Sequence, residues 1–214
     1  KKVMLLSIDD YYLSKNKRIN LSKKIHPLLS TRGVPGTHDI VALKNDIINF
    51  QTKNFPITTP IFNKLKDDTS IKKKIIKNAE ILLLEGWCCG SPSINTKYLF
   101  QNINRVETLL DKNKKWRQYY NSQLKMNYKK VFSLFDQQIY IEPPSFNYVL
   151  KWRYAQEKNN ALKSRNKDFM NKKELQTFIQ HYEKLTRWMM KIMPAKADIL
   201  IKIDSNQKIK KVVI

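Results

Sequence analysis

The stretch AEILLLEGWCCGSP, residues 79–92, determines the predicted fold because a continuous apolar run is followed at once by Glu85 and a glycine. Such an unbroken run is typical of a strand buried on both faces, as in a parallel sheet. A second run of this kind, VMLLSI at residues 3–8, ends at the acidic pair Asp9 and Asp10. We therefore expect an α/β fold with a mainly parallel sheet. Because ligands of such sheets bind beyond the carboxyl ends of the strands, the three acids are candidate site residues.

The remaining elements follow from apolar spacing and from helix boundary signals. Asp39 is the expected N-cap of a helix that carries Leu43, Ile47 and Phe50 on one face. Further helices are expected over residues 115–135, 146–163 and 172–193, and further strands over residues 138–141 and 198–203. No internal repeat or low-complexity linker interrupts the 214 residues, so we expect a single domain over residues 1–214.

The composition excludes several classes of protein. Apolar residues make up 42% of the chain and aromatic residues 11%, which is incompatible with wholesale disorder. The two cysteines, Cys88 and Cys89, are adjacent and are interpreted as reduced thiols, because neither a structural disulfide nor a zinc site suits this spacing. No apolar run approaches the roughly 18 residues of a membrane span, and no secretory signal opens the chain. We expect a cytoplasmic protein with no membrane partner.

The net charge of +23 has two interpretations. One is a basic surface that binds nucleic acid or another polyanion without catalysis. The other is a compositional bias, since the 41 basic residues comprise 34 Lys and only 7 Arg, and the lysines are scattered. Phosphate and base recognition favours clustered arginines. We therefore expect no specific nucleic-acid partner, and keep the polyanion-binding module as the alternative from a different functional class.

The chain contains only four glycines, which form two short clusters at Gly33 and Gly36 and at Gly86 and Gly90. A chain that otherwise avoids glycine retains it where the backbone needs an unusual conformation or a close approach. Both clusters adjoin chemically useful residues, namely His38 and the acids at the predicted strand ends. Carboxylates at strand ends, a glycine-bearing loop and arginines in a basic helix are the groups that phosphoryl transfer requires.

Five blocks of sequence, in order and at consistent spacing, resemble one family. They are SIDDYYL (Ser7 to Leu13), RGVPGTHD (Arg32 to Asp39), LLLEGWCCG (Leu82 to Gly90), PSFNYVLKWRYAQE (Pro144 to Glu157) and HYEKLTRWMMKIMPAKADILIKID (His181 to Asp204). Together they resemble the D-glycerate 3-kinases, P-loop kinases related to phosphoribulokinase and uridine kinase, and most closely their bacterial branch. The resemblance implies a three-layer α/β/α fold with a helical lid. It also implies ATP and Mg²⁺ as cofactors and D-glycerate as the small-molecule substrate.

The resemblance also assigns roles to residues. Asp9 matches the base that accepts the proton of the substrate hydroxyl and lies near Mg²⁺, and Glu85 matches an acid that holds Mg²⁺. The substrate-side positions are Asp10, Tyr12, Arg32, Thr37 and His38, with Arg32 expected to hold the carboxylate. Arg153, as a catalytic cation, and Lys163 and Arg165, as nucleotide-binding cations, fall in the lid segment.

Structural interpretations of the same residues stay open. The acidic pair could form a turn, His38 could be a packed structural histidine, and the basic helix could simply be solvated. For Lys163 and Arg165 the structural and functional interpretations have equal weight.

The sequence departs from the family pattern in two places. A loop of the type PxFDK with further acids and an arginine is here PIFNK followed by Asp67, Asp68 and Thr69, so Asn63 replaces an acid and the arginine is absent. In addition, no G-x-x-x-x-G-K-[ST] phosphate loop occurs in the 214 residues. We expect the chain to lack the first strand, phosphate loop and first helix of the fold, which would lie upstream, and to be inactive alone. Pantothenate, uridine or a sugar phosphate remain alternative acceptors.

Overall fold

The computed structural model describes residues 1–164 and 171–214 of the chain. These residues form two compact units, which are described separately below. The first unit comprises residues 1–99 and 113–135, and the second comprises residues 100–112 and 136–214.

The first unit contains six strands and the helices that follow them. The strands are β1 (Val3–Ser7), β2 (Ile57–Thr59), β3 (Phe62–Asn63), β4 (Asp68–Thr69), β5 (Lys74–Ile76) and β6 (Ile81–Glu85). The helices are α1 (Lys15–Lys24), α2 (Ile40–Gln51), α3 (Thr96–Phe100, at the boundary), α4 (Lys115–Gln123) and α5 (Lys129–Phe132). β1 pairs in parallel with β6, whereas β2 pairs with β5 and β3 pairs with β4 in antiparallel ribbons.

The β1–β6 pair has one buried and one exposed face. Met4 and Leu6 of β1 are buried, whereas Val3 and Leu5 are 50% and 52% exposed. Leu83 of β6, which is the register partner of Leu5, is also exposed. The apolar runs of β1 and β6 predicted strands that are buried on both faces. In the described residues of this unit, the strand pair is covered on one face and exposed on the other.

Helix α2 begins as its sequence predicts. The Asp39 carboxylate accepts a hydrogen bond from the backbone N–H of Ala42 at 3.1 Å, which caps the helix, and Leu43 and Ile47 are buried. The helix expected over residues 115–135 forms from Lys115 to Phe132, but its segment Leu124–Tyr128 is π-helical and lies between α4 and α5. π-helical turns within α-helices are often found at functional sites.

The second unit consists of a three-stranded sheet and two long helices. The elements are β7 (Ile139–Glu142), α6 (Asn147–Ser164), α7 (Lys172–Ile192), β8 (Ile199–Ile203) and β9 (Ile209–Val213). β7 and β8 are parallel, and β9 is antiparallel to β8. A capping box of Asn171 and Glu174 starts α7, and the buried side chains of Lys184 and Glu107 form an ion pair at 3.3 Å.

The α/β class, the parallel strand pairing and the long elements expected from the sequence are confirmed. Among the described helices, none combines the length and the apolar character needed to cross a bilayer. The short extended piece expected between Pro56 and Pro60 is β2, whereas the short strands β3 to β5, the last strand β9 and the polar helix α1 were not expected. The interpretation as a single domain stays a prediction.

Candidate functional site

The carboxyl ends of β1 and β6 lie side by side. The parallel register pairs Ser7 with Glu85, and the 3₁₀ turn Ile8–Tyr11 after β1 carries Asp9 in its first turn. Burial raises the pKa of the Cys89 thiol well above its usual value, and the charges of Glu85 and Asp9 contribute in the same direction. Both acids thus act electrostatically on one sulfur atom. The expected gathering of these two acids at one sheet edge is observed.

Asp9 is an ionised carboxylate with a cationic partner. Its Oδ2 atom accepts a hydrogen bond from Nζ of Lys64 at 2.8 Å. Burial raises the pKa of the Asp9 carboxyl, but hydrogen bonds from Lys64 and Tyr12 outweigh burial, so that the pKa lies below its ordinary value. The Asp9 side chain is 29% exposed, so a ligand can reach it. At neutral pH it is an ionised acceptor of protons and hydrogen bonds.

Asp10 faces the β3–β4 hairpin and anchors it. Its Oδ1 atom accepts a hydrogen bond from the backbone N–H of Phe62 at 3.0 Å. The adjacent Tyr11 donates its hydroxyl hydrogen to Oδ2 of Asp46 at 2.7 Å, which ties the turn to α2. The two acids of the pair therefore have different surroundings, with Asp9 beside a cation and Asp10 bonded to the backbone. A substrate contact for Asp10 stays a prediction.

An aromatic cluster lies beside Asp9. Tyr12 and His38 form an isolated antiparallel bridge, and their rings stack with centroids 4.4 Å apart. Phe62 meets the Tyr12 ring edge-on at 5.2 Å. Burial lowers the pKa of His38 to about 3, although the charge of Asp9 acts in the opposite direction. His38 is therefore neutral at physiological pH.

The loop before His38 is closed by its own hydrogen bonds. The Thr37 hydroxyl donates to the carbonyl of Val34 at 2.8 Å and accepts from the N–H of Gly33 at 3.1 Å. Thr37 is completely buried, so its observed contacts hold the shape of the loop that presents His38. A direct role of Thr37 at the substrate stays a prediction.

Arg32, the expected carboxylate-binding residue, forms an ion pair with Asp67. Asp67 also pairs with the completely buried Arg18 at 2.9 Å. Both guanidinium groups lie against the ring of Phe62, with Arg18 at 5.8 Å and Arg32 at 5.5 Å from its centroid. The Arg32 side chain is 26% exposed, so it is partly accessible to solvent. Because arginine has five N–H donors, it can bind a further carboxylate beside Asp67.

The expected lid residues belong to the second unit. Arg153 lies on α6, where its Nη1 donates to Oε1 of Gln156 at 2.7 Å and its guanidinium lies 6.0 Å from the Phe178 ring centroid. The Lys163 side chain and the whole of Arg165 lie outside the described residues. Their role as nucleotide-binding cations stays a prediction.

The donor set at the sheet edge is suitable for Mg²⁺. No group of three or more His, Cys, Asp or Glu side chains in the described part of the chain forms a metal cluster. Mg²⁺ often takes only one or two carboxylates, and water and phosphate oxygens complete its coordination. Asp9 and Glu85, on adjacent strand ends, can supply such a pair.

Comparisons with known proteins place this geometry in context. No protein-family model matches the sequence. The "Uncharacterized kinase mug58" of Schizosaccharomyces pombe is 28% identical over 197 residues, which cover 84% of this chain and 67% of that protein. The "Probable ATP-dependent kinase TDA10" of Saccharomyces cerevisiae is 28% identical over 195 residues, covering 85% of this chain and 64% of that protein. The chain thus spans about two thirds of the length of these relatives.

A solved structure identifies the fold. A D-glycerate 3-kinase from Cryptococcus neoformans var. grubii superposes with a TM-score of 0.83 over 99% of this chain and 79% of that chain, at 21% identity. The chain shares the fold of that kinase. The α/β class expected from the strand pattern is therefore also the class of a known small-molecule kinase.

Four residues of the site were missed by the sequence reasoning. Phe62 and Lys64 lie in the PIFNK stretch, which stood out only because it departs from the family pattern, and Asp67 follows it. Tyr128, whose hydroxyl lies 2.6 Å from Nδ1 of His38, is separated from it by 90 residues and belongs to no recognised motif. No signal in the sequence connects Tyr128 with the site.

Proposed function

We propose that the whole protein is an ATP-dependent kinase that transfers the γ-phosphoryl group to the 3-hydroxyl of D-glycerate, giving 3-phosphoglycerate and ADP. The observation that carries this proposal is the ionised Asp9 at the carboxyl end of β1, next to Glu85 on the neighbouring parallel strand. The fold shared with a D-glycerate 3-kinase and the two relatives named as kinases support it.

In the proposed reaction, Asp9 accepts the proton of the attacking hydroxyl group as the new O–P bond forms. Asp9 and Glu85 would hold Mg²⁺, which when bound neutralises charge on the phosphate oxygens. The partly exposed Arg32 side chain holds the substrate carboxylate, and Tyr12 and His38 form the wall beside it. Asp10 and Thr37 keep this wall in place through their bonds to the β3–β4 hairpin and the loop.

The 214 residues supply only part of the proposed nucleotide-binding site. Arg153, Lys163 and Arg165 are the proposed cations that approach the transferring phosphoryl group. The 214 residues contain no G-x-x-x-x-G-K-[ST] sequence, so in the proposed enzyme the phosphate loop is supplied by sequence outside them. The proposal therefore concerns the whole protein, and the 214 residues alone are proposed to be inactive.

The test is a coupled assay of ADP release by the whole protein with D-glycerate as acceptor. Asp9→Asn is expected to lower kcat by roughly 10²- to 10⁴-fold, because the amide cannot accept the hydroxyl proton. Asp39→Asn is the matched control, since it makes the same chemical change at the N-cap of α2, where asparagine caps as well as aspartate. The control is expected to retain turnover.

Pantothenate, uridine and a sugar phosphate serve as the competing acceptors in the same assay. D-glycerate is expected to give the highest kcat/KM. A higher kcat/KM for one of the competing acceptors would replace D-glycerate in the proposal. The proposed kinase activity would be retained. Full activity of Asp9→Asn would remove Asp9 from its role, and no ADP release with any acceptor would refute the kinase.

A further inference from the structure

The buried imidazole of His38 has one ring nitrogen with a partner and one without. The residue is 4% exposed, and Nδ1 lies 2.6 Å from Oη of Tyr128. Within residues 1–164 and 171–214, the buried Nε2 atom has no hydrogen-bond partner. Buried polar atoms are almost always hydrogen-bonded in folded proteins, so this exception requires a specific explanation. The ring stacks on Tyr12 and is acted on by the charge of Asp9, which places it in the candidate site and makes a ligand atom the natural partner of Nε2.

The direction of the hydrogen bonds around Tyr128 determines where the imidazole proton lies. The backbone N–H of Gly36 donates to Oη of Tyr128 at 2.9 Å, and a backbone N–H can only donate. The hydrogen bond from Gly36 occupies one lone pair of Oη. The hydroxyl hydrogen of Tyr128 is then available to donate to Nδ1 of His38. Nδ1 then accepts, so in the neutral ring the proton is on Nε2.

The opposite tautomer satisfies fewer groups. If Nδ1 carried the proton, Oη of Tyr128 would accept from two N–H groups and its own hydrogen would lose the His38 acceptor. Nε2 would then be unprotonated, with its lone pair near the negatively charged Asp9 carboxylate, whose charge acts on this ring. Burial raises the pKa of the Tyr128 hydroxyl well above its usual value and lowers that of His38, so both groups are neutral.

The backbone holds Tyr128 and Gly36 in place for this contact. Tyr128 ends the π-helical segment Leu124–Tyr128 and is completely buried. Gly36 has φ +96°, in the left-handed region, and a Cβ atom there would lie 2.6 Å from Cε1 of Tyr119. A side chain at this position would therefore push the Gly36 N–H away from Tyr128.

We propose that Tyr128 is a positioning residue that holds His38 in the Nε2–H tautomer, so that Nε2–H donates a hydrogen bond to an oxygen atom of the phosphoryl acceptor. The identity of the acceptor rests on the proposed function, whereas the tautomer does not. In this arrangement His38 orients the substrate and Asp9 alone takes the proton. The site therefore selects an acceptor that presents a carboxylate or hydroxyl oxygen to Nε2.

The tautomer is measured directly by long-range ¹H–¹⁵N NMR of the imidazole rings in the whole protein. The 214 residues contribute three histidines, and the His38 signals are assigned by their loss in His38→Gln. The expected wild-type spectrum has a protonated Nε2 and an unprotonated Nδ1. Tyr128→Phe is expected to shift His38 toward a mixture of tautomers. Tyr119→Phe, which removes a hydroxyl from the tyrosine that packs against Gly36, is expected to leave the signals unchanged.

Steady-state kinetics of the whole protein test the contact with the acceptor. Tyr128→Phe is expected to raise the KM for the acceptor roughly tenfold, the loss of about one hydrogen bond, with a smaller change in kcat. A wild-type spectrum with the proton on Nδ1 overturns the proposal even if Tyr128→Phe fails to fold. An unchanged KM in both Tyr128→Phe and His38→Gln overturns the donor role. A chain with the Nε2–H tautomer but no kinase activity refutes the proposed function and supports the positioning role of Tyr128.

Discussion

The buried, neutral His38 predicts a specific dependence of stability on pH. Its pKa is about 3 in the folded protein, against 6.5 for an ordinary histidine. Below pH 6.5 the unfolded chain binds a proton at this position and the folded chain does not, so the free energy of unfolding falls as the pH falls. Each pH unit in this range corresponds to about 1.4 kcal/mol. Between about pH 7.5 and about pH 4.5, the loss due to His38 sums to roughly 2–3 kcal/mol.

Urea unfolding followed by tryptophan fluorescence measures this loss in the 214-residue chain. The wild type is expected to lose roughly 2–3 kcal/mol more than His38→Gln over the same pH interval, because glutamine does not titrate. Burial also lowers the pKa of His181, but His181 and the carboxylates are present in both proteins and cancel in the difference. An equal loss of stability in the two proteins would show that His38 is protonated in the folded state and would refute the assignment of a neutral imidazole.

Two substitutions test the packing around the site. Gly86→Ala is expected to destabilise the fold by roughly 2–4 kcal/mol, because φ is +149° and the new Cβ would lie 2.2 Å from Cγ2 of the buried Ile8; a thermal melt as stable as wild type would contradict this. Asp67→Asn keeps a residue that tolerates the positive φ of 52° but leaves the buried Arg18 without its anionic partner. A loss of roughly 1–3 kcal/mol in urea unfolding is expected, and an unchanged midpoint would show that the ion pair does not stabilise the hairpin.

The long elements were predictable because each one carries its own signal. The apolar runs of β1 and β6 bury at least one face, and Asp39 satisfies a backbone N–H at the start of α2. Helix α1, KNKRINLSKK, begins at a capping Ser14, whose hydroxyl accepts a hydrogen bond from the N–H of Lys17, but it has no apolar face, since its buried residue is the charged Arg18. Arg18 is buried because its guanidinium donates to the carbonyls of Leu13, Ser30 and Asp67. These partners come from the tertiary structure, and the spacing of residues within α1 contains no information about them.

The site was predictable to a similar extent. Acids that follow neighbouring parallel strands meet at one edge for purely geometric reasons, so Asp9 and Glu85 could be paired from the sequence. The ribbon β3–β4 could not be predicted, because its strands have two residues each and show no periodicity. Tyr128 could not be connected with His38 either, since only the fold brings these distant residues together. Sequence patterns thus revealed the chemical groups, and the fold revealed their partners.

The partners of Asp9 bear on how the proposed kinase would work. Lys64 lowers the pKa of Asp9, which keeps the carboxylate ionised but makes it a weaker base. A weak base would be a poor catalyst if the hydroxyl proton had to leave before the new O–P bond forms. In a loose, metaphosphate-like transition state the attacking oxygen is still largely protonated, so positioning and electrostatic stabilisation contribute more than basicity. An Asp9 held by Lys64 suits this second case, because the ion pair fixes the carboxylate in place. In such a transition state Asp9 takes the proton only late, as the new O–P bond is completed.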